Sequence, residues 1–591
     1  MTDARGAYLA GAAAHEAAAA VLERRLRLLG AARVGLFLLL VVAAWRAAVL
    51  ALPPWVVAGV AVAFAVLVGL YARLRNRQAA CVEAAAFHRR GLARLDHAWV
   101  GRGRTGLAWR AEGHPAATDL DLFGPGSLFE YLCEAGTLAG ERTLAGWLQQ
   151  PAPPGEVAAR QAAVRELAPR LGLRESLAVL GADPRHRLDE RPLVAWAAQP
   201  PPDFPAATLL VSQALVAALL ATVWLAYRGT WPGWAVLVSL GAMAGWAALL
   251  RGRVRATITG VGAAARELAV LAEVLERLEQ EPAEAPRLQA LRGRLAASGR
   301  PASRQVWRLR RLIALLDSRG NQLVMLVLPL LLWTTQVAVR VAQWRREVGP
   351  AIGDWLAAVG EYEALASLAG YAFEHPADAW PDVRMDAGFE ATGLGHPLLR
   401  EGGVRNDVAL TGERRLLVVS GSNMSGKSTL LRSVGTAVVM AQAGAPVAAE
   451  SLALEPLAVG ASIATHDSLL EGSSRFYAEI TRLRQLLDLT RGDRTVLFLL
   501  DELLSGTNSH DRRIGAEAVV RSLLDRGAIG LLTTHDLALA QVAEALAPRA
   551  ANVHFEDALE EGRITFDYRM RPGVVARSNA LALMRSIGLE V

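Results

Sequence analysis

The sequence predicts an α/β domain at the C-terminal end of a chain that is otherwise helical and carries four apolar segments of membrane-spanning length. Three observations support this. From about Asp386 onward, short apolar runs alternate with stretches of helical spacing. Before that point the apolar positions recur with a period near 3.6 residues, as in Ala264 to Leu278. The 591-residue chain is also 53% hydrophobic with a mean hydropathy of +0.26, high for a protein that meets only water.

The apolar segments come first. Val34 to Leu52 and Trp55 to Tyr71 flank Pro53-Pro54, and Ala206 to Tyr227 and Trp234 to Leu250 form a second pair. Each has roughly the 17–25 residues that a helix needs to cross the hydrocarbon layer. Arginine asymmetry orients them. Arg24, Arg25, Arg27 and Arg33 precede the first pair, and Arg73, Arg75 and Arg77 follow it. Arg251, Arg253 and Arg255 follow the second pair, whose inner turn holds only Arg228. Positive residues stay inside, so both pairs read as hairpins that cross and return, with both termini cytoplasmic. The expectation is a multi-pass protein of the inner (cytoplasmic) membrane. A cleavable signal peptide does not fit, because a long Ala-rich helical stretch precedes the first apolar run and a second span follows it. A fifth run, Leu323 to Val339, contains Pro329 and reads as a buried or membrane-adjacent helix, since a crossing there would strand the C-terminal domain outside.

Between and after the hairpins the reading is helical. Residues 73–205 close in the stiff Pro-rich stretch Gln199 to Pro205, and Pro282, Pro286 and Pro301 break the later helices. The expected division is 1–33 as an N-terminal cytoplasmic helix, 34–72 as the first hairpin and 73–205 as a cytoplasmic helical segment. It continues with 206–250 as the second hairpin, 251–385 as a helical core or lever, and 386–591 as the α/β domain. Two cysteines far apart, Cys81 and Cys133, indicate neither a disulfide framework nor a zinc-ligand spacing. The net charge of +6 and pI near 9.7 suit nucleic acid, but much of the arginine flanks the spans, so charge alone decides little.

Within the α/β domain one residue type is decisive. Of 63 basic side chains a single one is lysine, Lys427, in Gly421-Ser422-Asn423-Met424-Ser425-Gly426-Lys427-Ser428-Thr429. Codon drift explains arginines at large, but it is indifferent to position. A loop wrapped round a triphosphate accepts a compact ammonium and not a wide planar fork. The string fits G-x-x-x-x-G-K-[ST], in which loop amides and the lysine hold phosphates and the hydroxyl holds magnesium. Arg415 to Ser420 supplies the buried strand before the loop, and Ser428 to Gln442 the helix after it. The chemistry implied is binding of ATP with Mg2+.

Two further strand ends complete the pattern. Thr495 to Leu500 leads into Asp501-Glu502, where an aspartate can hold magnesium and the adjacent carboxylate can orient or deprotonate water. Ala528 to Leu532 leads into Thr533-Thr534-His535-Asp536, which sets a histidine at the edge where open α/β sheets bind ligands.

Together with Asp467, Gly472 to Arg482 (GSSRFYAEITR) and Leu499 to Asp511 (LLDELLSGTNSHD), these motifs resemble the ATPase domain of the MutS family of DNA mismatch-repair proteins. Gly395-His396-Pro397 and Ala551 to Phe555 are similar to that family's flanking segments. Ser127 to Leu132, Thr137 to Arg142 and Trp147 to Pro151 resemble its helical core. The resemblance implies an ABC-type composite P-loop site completed only in a homodimer. Lys427 and the loop would bind phosphates, Ser428 and Asp501 would hold magnesium, and Glu502 would position water. Ser474 would reach the partner subunit's γ-phosphate, His535 would sense it, and Asp511 would lie at the dimer seam. DNA is the implied macromolecular partner.

The departures redirect that implication. The family's mismatch reader uses Phe-x-Glu, and none of the 12 phenylalanines here is followed two residues later by glutamate. A hairpin occupies the place of the reader domain, a second interrupts the helical core, and Arg475 and Arg512 stand where the family usually has threonine and glycine. The expected function is therefore a membrane-anchored ATPase coupling ATP turnover to DNA binding without mismatch selectivity, in mismatch repair or in recognition of damaged or branched DNA. The alternatives are a membrane ATPase that remodels or scaffolds a protein partner, and an ABC-type transport ATPase. Against transport stand Met424 in the loop, the lack of an LSGGQ-like signature and the few polar residues in the spans.

Overall fold

Long uninterrupted runs of Ala, Leu and Val with no internal proline dictate the N-terminal architecture. The computed structural model describes residues 3–50, 53–181, 190–259, 261–297, 299–317, 329–399, 403–422, 424–463, 475–504, 509–535, 537–560 and 563–574. Its first helix, Ala4–Leu50, has 47 residues and so a length of about 70 Å at 1.5 Å per residue. The second, Pro54–Leu95, starts with a proline in its first turn, where the missing N–H costs nothing. The two pack together as a hairpin, with the Arg33 guanidinium 4.5 Å from the centre of the Tyr71 ring and Phe37 against Phe64.

The chain forms two compact units. One comprises Met1–Glu134, Arg142–Glu175 and Ala364–Val591; the other comprises Ala135–Glu141 and Ser176–Glu363. Among the described residues, four helices are long and apolar enough to cross a membrane: the two of the N-terminal hairpin, Thr208–Tyr227 and Trp234–Ile258. In the first two, none of the most apolar 18-residue window is buried, which leaves Phe37, Leu38, Val41 and Trp45 facing outward.

In the second unit, Trp246 Nε1 donates to Ser212 Oγ at 3.0 Å across the paired helices, and Thr222 and Ser239 meet at 3.3 Å. The fifth apolar run is partly described. Residues 323–328 lie outside the described residues, and after a 3-10 turn at Pro329–Leu331 a helix runs from Trp333 to Val348 with Val337, Ala338 and Val339 buried.

Among the described residues, the α/β part of the first unit contains ten strands: β1 (Asp382–Val383), β2 (Phe389–Leu394), β3 (Asn406–Leu410), β4 (Leu416–Ser420), β5 (Ser451–Leu454), β6 (Leu457–Ser462), β7 (Thr495–Asp501), β8 (Ile529–Thr534), β9 (Ala550–Glu560) and β10 (Arg563–Pro572). They form a small sheet ordered β1-β5-β2-β3 and a main sheet ordered β10-β9-β4-β8-β7-β6. In the main sheet all neighbours are parallel except β9 and β10. Every residue of β4 and β8 is buried, as strands covered on both faces must be.

Register decides where the chemistry collects. Ser420 at the end of β4 lies opposite Thr534 of β8 and His554 of β9, and Asp501 lies opposite Thr533. The strand ends that carry polar residues therefore share one edge. The helix Lys427–Ala443 packs against β7, and a Cβ at Gly435 would sit 2.6 Å from Leu120 and 2.8 Å from Leu499. An N-terminal segment thus presses on the helix that follows the loop. It is tied there by Ala461 N–H donating to Pro115 O at 2.9 Å and by Asp119, which accepts from the Ile463 amide and from Arg482.

Candidate active site

The loop from Gly421 to Gly426 joins β4 to the buried helix that starts at Lys427. Gly426 has φ +103°, a conformation that side-chain-bearing residues avoid, and a Cβ there would meet Tyr568 Cδ1 at 3.2 Å. This turn lets the first amides of the helix open toward the strand ends, where the helix dipole favours anions. Met424 also has positive φ (68°), and its side chain is 84% exposed.

Lys427 is buried, and its Nζ donates to the carbonyls of Gly421 (2.9 Å) and Ser422 (2.7 Å). Burial lowers its pKa, an effect opposed by the Glu502 and Asp501 carboxylates. Ser428 Oγ donates to Asp501 Oδ2 at 2.5 Å, and Thr533 Oγ1 donates to Asp501 Oδ1. Thr533 also receives the Glu502 amide, on its carbonyl at 3.3 Å and on its hydroxyl at 3.2 Å. Glu502 has φ +49°, and its Oε1 lies 3.4 Å from His535 Nδ1. Five of the residues singled out from sequence, Lys427, Ser428, Asp501, Glu502 and His535, are gathered at this edge of the sheet.

A cavity of about 790 Å³ adjoins them, within the size range of small-molecule sites. Gly426, Lys427, Ser428, Thr429 and Glu502 line it together with Leu394, His396, Asn406, Phe555 and Tyr568. Asn406 fixes the Tyr568 strand by donating to Tyr568 O at 3.0 Å and accepting from the Met570 amide at 2.7 Å. His396 has its pKa lowered to about 4 by burial and by nearby Arg432, so its ring is neutral at physiological pH.

The donors fit nucleotide and magnesium. Ser428 Oγ and Asp501 Oδ2 are adjacent hard oxygens of the kind Mg2+ takes. The Ser422 and Ser425 hydroxyls are buried without a partner among the described residues, which leaves them available to an anion in the loop.

Asn423, Ser474, Asp467 and Asp536 lie outside the described residues. Asp511 is exposed in the first turn of the helix Ser509–Asp525, and neighbouring Arg512 donates Nε to Leu504 O at 3.1 Å. Sequence reasoning missed Thr533 as the residue that orients Asp501, and Asn406 and Tyr568 as cavity walls. The paired threonines before His535 were the available signal for the first; nothing local marked the other two.

Comparison with known proteins falls on the same region. Residues 417–590 match the family model of MutS domain V. The chain is 37% identical over 202 residues to Endonuclease MutS2 of Thermus thermophilus, a match covering 33% of this chain and 25% of that protein. It is 35% identical over 244 residues to DNA mismatch repair protein MutS 2 of Halobacterium salinarum, covering 40% and 27%. DNA mismatch repair protein MSH6 of Arabidopsis thaliana is 34% identical over 214 residues, covering 34% and 16%. The matched segments thus span about a quarter or less of the length of these relatives.

Proposed function

We propose, from the premise that the C-terminal domain of this chain belongs to the MutS family, that the protein is a membrane-anchored ATPase coupling ATP binding and hydrolysis to DNA binding. The observation that carries the catalytic reading is the linked set Ser428–Asp501–Thr533 and Glu502–His535 beside the Lys427 loop. In this reading Lys427 leaves the loop carbonyls for the phosphate oxygens. Thr533 keeps the Asp501 carboxylate turned toward Ser428, and Asp501 and Ser428 would hold the cation. Mg2+ supplies neutralisation of phosphate charge. Glu502, its amide pinned by Thr533, orients or deprotonates the attacking water, and His535 holds the Glu502 carboxylate from the other side. The domain is expected to close against a second copy, as MutS-like composite sites require.

Membrane anchoring draws support from the four apolar helices. Outward-facing Phe37, Leu38, Val41 and Trp45 would form a large aggregation-prone surface in water, whereas lipid covers it without cost. The arginine distribution favours both hairpins entering from the cytoplasmic side, at the inner membrane.

DNA is the proposed substrate because each of the three relatives is named for MutS or mismatch repair. Without a Phe-x-Glu wedge, contacts rest on arginine and phosphate and carry little base information. ATPase activity of the full chain, measured with matched and single-mismatch duplex over a salt series, tests this. Expected are stimulation by both duplexes alike and affinity falling with salt by roughly 0.9 in log–log slope per neutralised phosphate. No binding at low salt by a nucleotide-loaded dimer would move the reading to a protein partner.

A further inference from the structure

We propose that His15, His88 and Glu175 form a binding site for a divalent transition-metal ion of the zinc class on the extramembrane stem of the N-terminal hairpin. The three residues come from three separate helices, Ala4–Leu50, Pro54–Leu95 and Leu171–Gly181. His15 Nε2 lies 3.0 Å from Glu175 Oε1, and His88 Nε2 lies 3.0 Å from Glu175 Oε2. One ligand atom from each residue falls within 4.8 Å of the other two. Donors about 2.0–2.2 Å from a tetrahedral zinc ion sit about 3.3 Å from one another, so small rotations convert this cluster into a ligand shell.

His88 is 2% exposed and packed against Tyr8 and Phe87, which fixes its ring beside Glu175. The two imidazoles stack with centroids 5.6 Å apart, close to parallel at 19°. Each presents its Nε2 to the one carboxylate. The first helix is shaped to admit the His88 ring: Gly11, one turn before His15, would place a Cβ 2.3 Å from it. The His15 and Glu175 side chains are 30% and 23% exposed, which gives an ion an entry path and leaves the fourth position to water. Two histidines, one glutamate and an open position make a ligand set that zinc accepts. Bound there, the ion would clip the hairpin stem to the helix at 171–181, 19 residues before the first apolar segment begins at Val34. The inference stands independently of the ATPase reading.

The test uses the full chain in detergent, without an affinity tag, stripped with chelator and free of nucleotide. Co2+ is titrated as a spectroscopic substitute for zinc, followed by Zn2+ competition. Expected is one Co2+ per chain with the intense visible bands of tetrahedral N/O coordination, displaced by Zn2+, and a melting temperature raised by Zn2+. His15→Ala and Glu175→Gln should each weaken binding at least about tenfold and abolish the thermal shift, because binding to the native state is what stabilises it. Both variants leave the ATP site untouched, so turnover should persist. Ser428→Ala should retain the tetrahedral spectrum. The proposal is overturned if the spectrum is equally strong in Glu175→Gln, if it vanishes in Ser428→Ala, or if the stripped wild-type chain shows no tetrahedral band.

Discussion

Replacing Thr533 with valine keeps the branched shape of the side chain and removes one oxygen from the centre of the candidate site. That oxygen donates to Asp501 Oδ1 and accepts the Glu502 amide at 3.2 Å. The amide retains a second partner, Thr533 O at 3.3 Å, so its loss is small. The Asp501 bond is the substantive one, since hydrogen bonds to charged groups contribute about 1.5–3 kcal/mol. At about 1.4 kcal/mol per decade, this corresponds to roughly a tenfold to hundredfold weakening of magnesium binding. Residues that orient metal ligands have effects of the same size. The assay is ATP turnover against Mg2+ concentration at fixed nucleotide. Thr533→Val should shift half-saturation upward by that factor, with turnover largely recovered at high Mg2+. Thr533→Ser, which keeps the donor, should lie near wild type. Unchanged half-saturation in folded Thr533→Val would refute the assignment of Asp501 as a magnesium ligand oriented by Thr533.

Other outcomes follow from the same geometry. Glu502→Gln should bind ATP normally and hydrolyse it at least about a hundredfold more slowly, read by nucleotide binding and single-turnover hydrolysis; normal turnover would remove Glu502 from the chemistry. His396 titrates near 6.5 when unfolded and near 4 in the fold, so the unfolded state binds the extra proton between those values. Its contribution to stability is therefore complete above pH 6.5 and falls as pH drops toward 4, and chemical denaturation of His396→Gln should show a flatter pH dependence there. For topology, a cysteine-free chain bearing Thr230→Cys should label from the far side of the membrane and one bearing Ala297→Cys from the cytoplasm, both positions being exposed. Labelling of Ala297→Cys from outside would invert the arginine argument.

The parts legible in sequence were those set by local chemistry. Gly426 and Lys427 announced the loop because a left-handed turn and a compact cation are requirements of residue type, visible without a fold. Asp501 and Glu502 were legible because a buried apolar run ending in acid is a strand end, and β7 ends at Asp501. The long apolar helices were legible from length and composition. What stayed hidden depends on register and distant packing. Thr533 matters only because β7 and β8 align it with Asp501, and Tyr568 reaches the cavity only because Asn406 holds its strand. The division into units was equally illegible, since residues 135–141 are cut out of one unit and joined to the other by contacts more than 200 residues away, such as those of Glu363 with Gly136 and Thr137.

A buried charge cluster makes the hairpin stem part of the unit that holds the candidate active site. Tyr8 of the first helix donates to Glu374 Oε1 at 2.8 Å, and Arg94 of the second forks onto the same carboxylate with Nε at 3.0 and 2.9 Å. Arg94 Nη2 also pairs with Glu134. Burial alone would lower the Arg94 pKa, but the Glu374 and Glu134 carboxylates hold it well above its ordinary value. Glu374 ends the helix that precedes β1, so the route from hairpin to sheet is a buried ion cluster and a few residues of chain. Arg94→Met would strand the buried Glu374 carboxylate and leave Glu134 with Arg174 at 3.5 Å, and breaking a buried pair in this way costs about 3–5 kcal/mol. Replacing Arg94 and Glu374 together with apolar residues of similar volume keeps the Glu134–Arg174 pair and should recover most of that stability, because desolvation is then removed along with attraction. If the cluster only stabilises, the double variant should also regain ATP turnover. If it transmits strain between the hairpin and the loop, stability should return while turnover in lipid does not, and the comparison of lipid with detergent separates the two.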